Sequence, residues 1–553
     1  MRLFLHRLRH DRGLRHLWLA VIAICSTSVV IACVISRTSE KGKTLRERAA
    51  SLELSGQVDR AEKLYWETLQ HGPVDTETLL GFIDAHAALT DGGEGDERNR
   101  DQNSGESEDE KKDEGAQTVL VSSVTEKQIV SFLDRRDFNP SVSALGHYWY
   151  AVRMVDKKSD TKSIRNLADG AKPVRWANHL LARAALMNDD SPEAARRFER
   201  EGLSFPTEAR EDLRHALFIW SDNDAWEELR KRRNDSRYAA VIGPAFRLIL
   251  AEHDRDWFEV IRYVWPAGFE GVKAWPLFLA ALSGALWFAI ATRMGRIGEG
   301  VEGRKGLYAA AFVLGILSVY PTLLLITLEE SVFSLRLVGQ PIPDAIYFVF
   351  GVGLREELCK LLAFLPLLPI LWRRRLRIEA LTCGALVGLG FAAEENIGYF
   401  HRMEIADALG RFLTANFLHM SLTALIAVSA FESSRRAGVR RDTFGTVFPL
   451  AVFLHGAYDF VLESRETAGF SFLAMGVFIL LSRQFLREMM STCPAQRQRS
   501  VLRTFVISLV ILTGVSYIYA TTLVGAVQGL AVIGSGLLGV AIMIYMFVRE
   551  LAY

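Results

Sequence analysis

The sequence predicts an all-α protein: a polytopic membrane bundle of about ten transmembrane helices carrying an exported, mostly helical domain. Three observations predict it. Half of the 553 residues are hydrophobic although 23% are charged. The two coexist by segregation, with charges crowded into Arg37–Trp265 and apolar runs dominant after Trp275. Those runs are about twenty residues long, the length of helix that crosses a hydrocarbon core. Finally, basic residues collect in alternate loops between the runs, as they do when cytoplasmic loops retain Lys and Arg. The net charge of +1 averages an acidic region against basic loops and gives no sign of a nucleic-acid partner; none is expected. The five cysteines all lie outside the charged region, so no disulfide framework holds it.

The N-terminus, residues 1–16, carries Arg2, Arg7, Arg9, Arg12 and Arg15 ahead of an apolar run at 17–36. A basic flank followed by about twenty apolar residues is a signal anchor with its N-terminus inside. Val30-Ile31-Ala32-Cys33 offers the alternative of a loose lipoprotein cleavage box, and either reading exports the charged region beyond it. Residues 40–265 then form the exported domain. Within it, Gly56, Ala61, Tyr65 and Pro73 have the spacing of one tetratricopeptide unit, and Ala184, Ala194, Phe198 and Pro206 give a weaker echo. The small residues would let paired helices approach and the prolines would end them. Residues 91–117 open with DGGEGDERNRDQNSGESEDEKKDEG, which cannot contribute to a core and predicts a disordered acidic linker. A domain of this kind is expected to bind a protein ligand.

Spans are predicted at 274–292, 307–328, 343–371, 379–400, 411–431, 446–463, 468–486, 501–523 and 526–548, making ten with the anchor. They group as two helices over 274–340, a core over 343–486 and a C-terminal hairpin over 501–549. Loops assigned inside hold Arg293, Arg296, Arg304 and Lys305, then Arg373–Arg375 and Arg377, then Arg435, Arg436, Arg440 and Arg441, then Arg483 to Arg503 and Arg549. Loops assigned outside hold only Arg336, Arg402, Arg411 and Arg465. Every turn obeys the positive-inside rule. The expected location is the inner (cytoplasmic) membrane of a cell, multi-pass, with both termini cytoplasmic. Gly384 with Gly388, and Gly525 with Gly529, form small-xxx-small faces for close helix packing.

The core contradicts its own hydropathy. YFVFGVGLREELCKLLAFLPLLPILW, residues 347–372, places Arg355, Glu356, Glu357 and Lys360 near the middle of a span. One charge at that depth costs on the order of 2.5–3.5 kcal/mol even on the lenient insertion scale. A Glu356–Lys360 salt bridge on one helix face would neutralise one pair and leave Glu357 unexplained. The next span holds Glu394, Glu395 and Asn396, the following one His419, and the one after His455 and Asp459, four apart on one face. Polar groups on four consecutive spans must turn inward and meet. Carboxylates, imidazoles and an amide in one pocket can activate water and stabilise an oxyanion. No HExxH or GxSxG peptidase signature is present.

These residues resemble the PrsW family of intramembrane proteases, which is similar in turn to the CAAX prenyl endopeptidases. Glu356-Glu357-Leu-Cys-Lys360 resembles the family's EExxK motif. Phe391-Ala-Ala-Glu394-Glu395-Asn396 matches its FxxxEN motif, His419 sits where the family has a membrane histidine, and His455-Gly-Ala-Tyr-Asp459 resembles its HxxxD motif. The resemblance covers about 345 to 485. It implies a glutamate-dependent endopeptidase that cuts a membrane-tethered protein, in some cases an anti-sigma factor. It also implies Glu356 as general base supported by Glu357, with His455 and Asn396 stabilising the oxyanion or orienting water. His419, Glu395 and Asp459 would assist, and Lys360 and Arg355 would hold the glutamates. No cofactor is expected, although Glu356, His419 and His455 could ligate zinc. Two rival classes draw on the same groups: a proton-coupled transporter using them as a relay, and a receptor whose membrane part only transmits.

Overall fold

The computed structural model describes residues 12–42, 44–54, 58–72, 74–102, 124–135, 138–154, 161–296, 302–333, 335–402, 405–435, 441–464, 467, 471–490 and 495–552. Among them every regular element is a helix. The chain divides into two compact units, Arg37–Gly243, and Met1–Ser36 together with Pro244–Tyr553.

Helix α1 (Arg12–Gly42) leads into the first of these. It continues with α2 (Leu45–Leu54), α3 (Val58–His71), α4 (Thr76–Gln102), α5 (Glu126–Leu133), α6 (Pro140–Met154), α7 (Thr161–Asp169), α8 (Ala177–Met187), α9 (Ser191–Ser204), α10 (Arg210–Asp222) and α11 (Trp226–Arg232). Neighbouring helices pair, α2 with α3 and α8 with α9, and Ala61, Tyr65, Ala184, Ala194 and Phe198 are buried between them. Pairing alone does not make these hairpins repeats. Helix α4 runs to Gln102, into the first part of the expected acidic linker; residues 103–123 lie outside the described residues. In the interior, Glu201 of α9 accepts the backbone N–H groups of Trp176 and Asn178 at 2.6 and 3.1 Å. That carboxylate satisfies the open donors where α8 begins and meets the positive end of its dipole.

The boundary between the units falls at 243 rather than the expected 265. Helices α12 (Pro244–Asp254) and α13 (Trp257–Gly268) pack with the membrane unit instead. Tyr320 donates to the Ile261 carbonyl at 2.7 Å, and Thr327 donates to Glu252 at 3.0 Å. On α13, Val260 and Val264 are buried and Trp265 packs on Tyr320 with ring centres 5.9 Å apart, while Trp257 and Phe258 stay exposed.

The membrane unit continues with α14 (Ala274–Met294), α15 (Arg304–Leu317), α16 (Val319–Phe333), α17 (Pro341–Ile346), a wide π turn at Tyr347–Gly353, α18 (Leu354–Phe364), a tight turn at Leu365–Leu367 and α19 (Leu368–Arg374). Beyond these come α20 (Arg377–Arg402), α21 (Ile405–Leu413), α22 (Ala415–Arg435), α23 (Arg441–Glu463), α24 (Ser471–Met490), α25 (Ala495–Val524), α26 (Ala526–Gly539) and α27 (Ala541–Ala552). Six described helical segments are long and apolar enough to cross a membrane, or seven if α26 and α27, bent by 57°, count as one. The expected ten are not reached. The segment 343–371 is no single helix, because the π turn widens it and Pro366 and Pro369 withhold backbone donors. Helix α20 carries Glu394 and Glu395, and α24 carries Arg483 and Arg487, so neither has the hydropathy of a lipid-facing span.

Helix α20 is the centre of the bundle, packed against α14, α15 and α22. Residues 380–393 are buried almost without exception. A helix enclosed by protein can carry charge without exposing it to hydrocarbon. Two backbone crossings set the site. At Gly388, a Cβ would lie 2.2 Å from the His419 carbonyl oxygen, so α20 and α22 touch where His419 projects. At Gly456, a Cβ would lie 2.4 Å from the Phe348 carbonyl oxygen, so α23 lies against the π turn that feeds Glu356 and Glu357. The C-terminal glycine pair differs from expectation. Gly529 packs on Ala520, but Gly525 has φ 84° and serves the turn between α25 and α26.

Candidate active site

The π turn ends one residue before α18 begins, and α18 delivers Glu356, Glu357 and Lys360 into the bundle within its first two turns. Lys360 is fully buried and is the hub of the site. Its Nζ lies 3.1 Å from Glu356 Oε2, 3.0 Å from Glu357 Oε1 and 2.7 Å from His419 Nδ1. The same ammonium sits 4.0 Å from the centre of the Phe391 ring, a favourable cation–π distance.

The two glutamates differ in what they leave open. Both oxygens of Glu357 are engaged: Oε1 by Lys360 and by His455 Nδ1 at 2.9 Å, Oε2 by Thr423 at 3.2 Å. The His455 contact is close but lacks good hydrogen-bond alignment. Glu356 meets Lys360 and His455 Nε2 through Oε2 alone, the latter at 3.6 Å, and no described residue takes its Oε1. His455 Nε2 also faces Asp459 Oδ2 at 3.3 Å, and His419 Nε2 faces Glu395 Oε2 at 3.1 Å. The two imidazoles stand edge to face with centroids 5.0 Å apart. Glu356, Glu357, Lys360, Glu395, His419, His455 and Asp459 therefore form one cluster, as four-span convergence required.

Asn396 and Arg355 behave differently from expectation. Asn396 is buried with its amide donating to Asn416 Oδ1 at 2.7 Å and its carbonyl accepting from Arg411 Nε at 2.7 Å. Arg355 pairs with Glu329 of α16 and joins none of the cluster. Glu394, beside Glu395, accepts from Trp265 Nε1 at 3.0 Å and lines a separate apolar cavity of ≈ 520 Å³. The cluster itself borders a cavity of ≈ 960 Å³ whose walls include Glu395, Tyr399, Arg411, His419, Tyr458 and Asp459.

Residues 303–482 match the PrsW family intramembrane metalloprotease, a span that takes in α18, α20, α22 and α23 and thus every cluster residue. This segment is PrsW-like. A relative described as Protease PrsW, from Geobacillus kaustophilus (strain HTA426), is 30% identical over 102 residues, which is 18% of this chain and 44% of that protein. The chain thus spans less than half the length of the curated relative it matches. No solved structure matches. The PrsW resemblance read from the motifs is met over the segment that holds them.

The family's description invites a test of the site against a metal. Glu356, His419 and His455 each offer a ligand atom, all within 4.8 Å of one another, and two imidazoles with a carboxylate are a hydrolytic zinc set. The partners of His419 argue otherwise. A zinc-ligating imidazole turns its other N–H toward an acceptor. His419 instead has the Lys360 ammonium at 2.7 Å from Nδ1, and an ammonium only donates. Nδ1 then accepts, and neutral His419 carries its proton on Nε2, toward Glu395, where a ligand lone pair would be needed. The residues as arranged do not fit a metal held by His419.

Sequence reasoning missed Arg411, Thr423 and Asn416. Thr423 and Asn416 are ordinary polar residues of a span, and Arg411 reads as a loop-end arginine. The one available signal was position: Asn416 and Thr423 lie three before and four after His419, on the same helical face.

Proposed function

We propose that the chain is an integral-membrane endopeptidase of the PrsW type, hydrolysing a peptide bond in a membrane-tethered protein near the outer membrane face. The observation that carries this reading is Glu356: its Oε2 is fixed by Lys360 while no described residue takes its Oε1, and its cluster partners Glu395, His419 and Asp459 line the adjoining cavity. A fixed carboxylate with one open oxygen is what a general base needs to take a proton from water. Glu357, locked by Lys360, His455 and Thr423, positions Lys360 and His455 rather than reacting. In the first step the water oxygen bonds to the scissile carbonyl carbon and its proton passes to Glu356. The carbonyl π pair moves onto oxygen. In the second, the C–N bond breaks and the nitrogen takes the proton from Glu356. His455 Nε2 faces Asp459 at 3.3 Å and lies 3.6 Å from Glu356 Oε2, beside the base, where it can orient the water that Glu356 activates. An anti-sigma factor is one substrate that the family resemblance suggests.

Depth supports a cut toward the outer side. On the ten-span topology read from the basic loops, with both termini cytoplasmic, Glu395 lies seven residues from the outer end of α20 and Asp459 four from that of α23. At 1.5 Å per residue these are depths of roughly 10 and 6 Å. Reporter fusions after Glu330, Arg402 and Arg465 should report outside, and fusions after Arg304, Arg375, Arg440 and Arg497 inside. The cleaved substrate should leave its larger fragment outside and a stub in the membrane. A fragment released into the cytoplasm contradicts the reading.

The contacts of His419 with Lys360 and Glu395 support metal-independent hydrolysis. Purified protein should contain no stoichiometric zinc, and exposure to a chelator should leave its cleavage rate unchanged. One zinc per chain, with activity lost on chelation and restored by zinc, contradicts this.

A further inference from the structure

We infer that Arg411 is a catalytic residue, the group that receives the negative charge forming on the scissile carbonyl oxygen. The inference rests on the endopeptidase reading. It starts from charge. Glu356, Glu357, Glu395 and Asp459 lie in one cluster, and an oxyanion forming among four carboxylates needs a cation that can reach it. Lys360 is fully buried and already faces Glu356, Glu357 and His419. Arg411 lies on the cavity wall beside Glu395 and His419.

Its pose is prepared from three sides. Nε donates to Asn396 Oδ1 at 2.7 Å, Nη2 approaches Glu395 Oε2 at 3.4 Å, and the guanidinium carbon lies 3.4 Å from the centre of the Tyr399 ring. No described residue takes Nη1, and the side chain keeps 15% of its surface open. Behind it runs a relay that fixes the amide of Asn396: Asn396 donates to Asn416 Oδ1 at 2.7 Å, and Asn416 donates to Ser283 Oγ at 2.6 Å. With its nitrogen engaged, Asn396 must turn its oxygen to Arg411. Asn396 therefore aims the arginine; it does not itself face a substrate. As water adds to the carbonyl carbon and its proton passes to Glu356, the π pair displaced onto oxygen meets the Nη1 side of the guanidinium. Pre-aimed donors need no reorganisation when charge develops, which is where their catalytic value lies.

The test uses the full-length protein in lipid vesicles. The substrate is the membrane protein that wild type cuts there and Glu356→Gln does not. Arg411→Ala should lower kcat by about 10²–10³-fold with KM changed little, the pattern of a group that acts only in the transition state. Arg411→Lys should retain more activity than Arg411→Ala, and added guanidinium ion should restore part of the Arg411→Ala loss. Cleavage by Arg411→Ala at the wild-type rate overturns the assignment. So does a loss that tracks a lowered thermal midpoint and responds neither to lysine nor to guanidinium, because that marks a purely structural arginine. If wild type itself cuts nothing that Glu356→Gln spares, it is the endopeptidase reading that fails, not the placement of Arg411.

Discussion

Glu356→Gln should abolish peptide hydrolysis while the protein remains folded and inserted. The amide keeps the length and shape of the side chain and can still contact Lys360 through its oxygen. It cannot accept a proton from water at the position now held by Oε1. Removing a positioned general base lowers a rate by about 10²–10⁴-fold. The neighbouring substitution separates chemistry from architecture. Glu357→Gln removes a carboxylate that Lys360, His455 and Thr423 all hold, so its loss should appear in thermal stability as well as in rate. Equal rates for wild type and Glu356→Gln, measured on the same substrate in vesicles, would remove Glu356 from the reaction.

Lys360→Met should be the most destabilising of the cluster substitutions. A supporting lysine would be expected to weaken activity only, but this one is fully buried and within 3.1 Å of Glu356, Glu357 and His419. Methionine fills much of the volume and leaves two buried carboxylates without their shared cation. Breaking a buried ion pair by deleting one partner costs about 3–5 kcal/mol. The thermal midpoint of the detergent-purified protein should fall and cleavage should fall with it. An unchanged midpoint would show that the carboxylates do not depend on Lys360 for their burial.

The site was legible in the sequence because charge is expensive in hydrocarbon. Glu356, Glu357, Lys360, Glu395, His419, His455 and Asp459 stand out only against the apolar runs that carry them, and the structure brings them together. Arg411 lacked that contrast, since it stands at the edge of its apolar run, where a charge can reach water, rather than inside it. Asn396 was legible as a site residue but not in its role, which depends on Asn416 and Ser283 from two other helices. Arg355 shared the local sequence of the glutamates and faced Glu329 instead, because neighbours on a helix point about 100° apart. The ten spans are matched by only six or seven described segments of sufficient length and hydropathy, for a related reason. Hydropathy reports contact with lipid, and α20 is enclosed by other helices. The close backbone crossing at Gly388 was visible as a small residue, the one at Gly456 was not singled out, and the partners of both, on α22 and at the π turn, were not legible.

The most direct measurement compares the membrane proteomes, and the new protein termini in them, of cells carrying wild type and Glu356→Gln at equal abundance. The predicted result is at least one membrane-tethered protein that accumulates at full length in the variant and yields, only with wild type, a new terminus at the outer edge of its membrane segment. Identical termini in the two cell populations, with both proteins inserted, would contradict the protease assignment and leave the buried carboxylates and imidazoles to a proton relay.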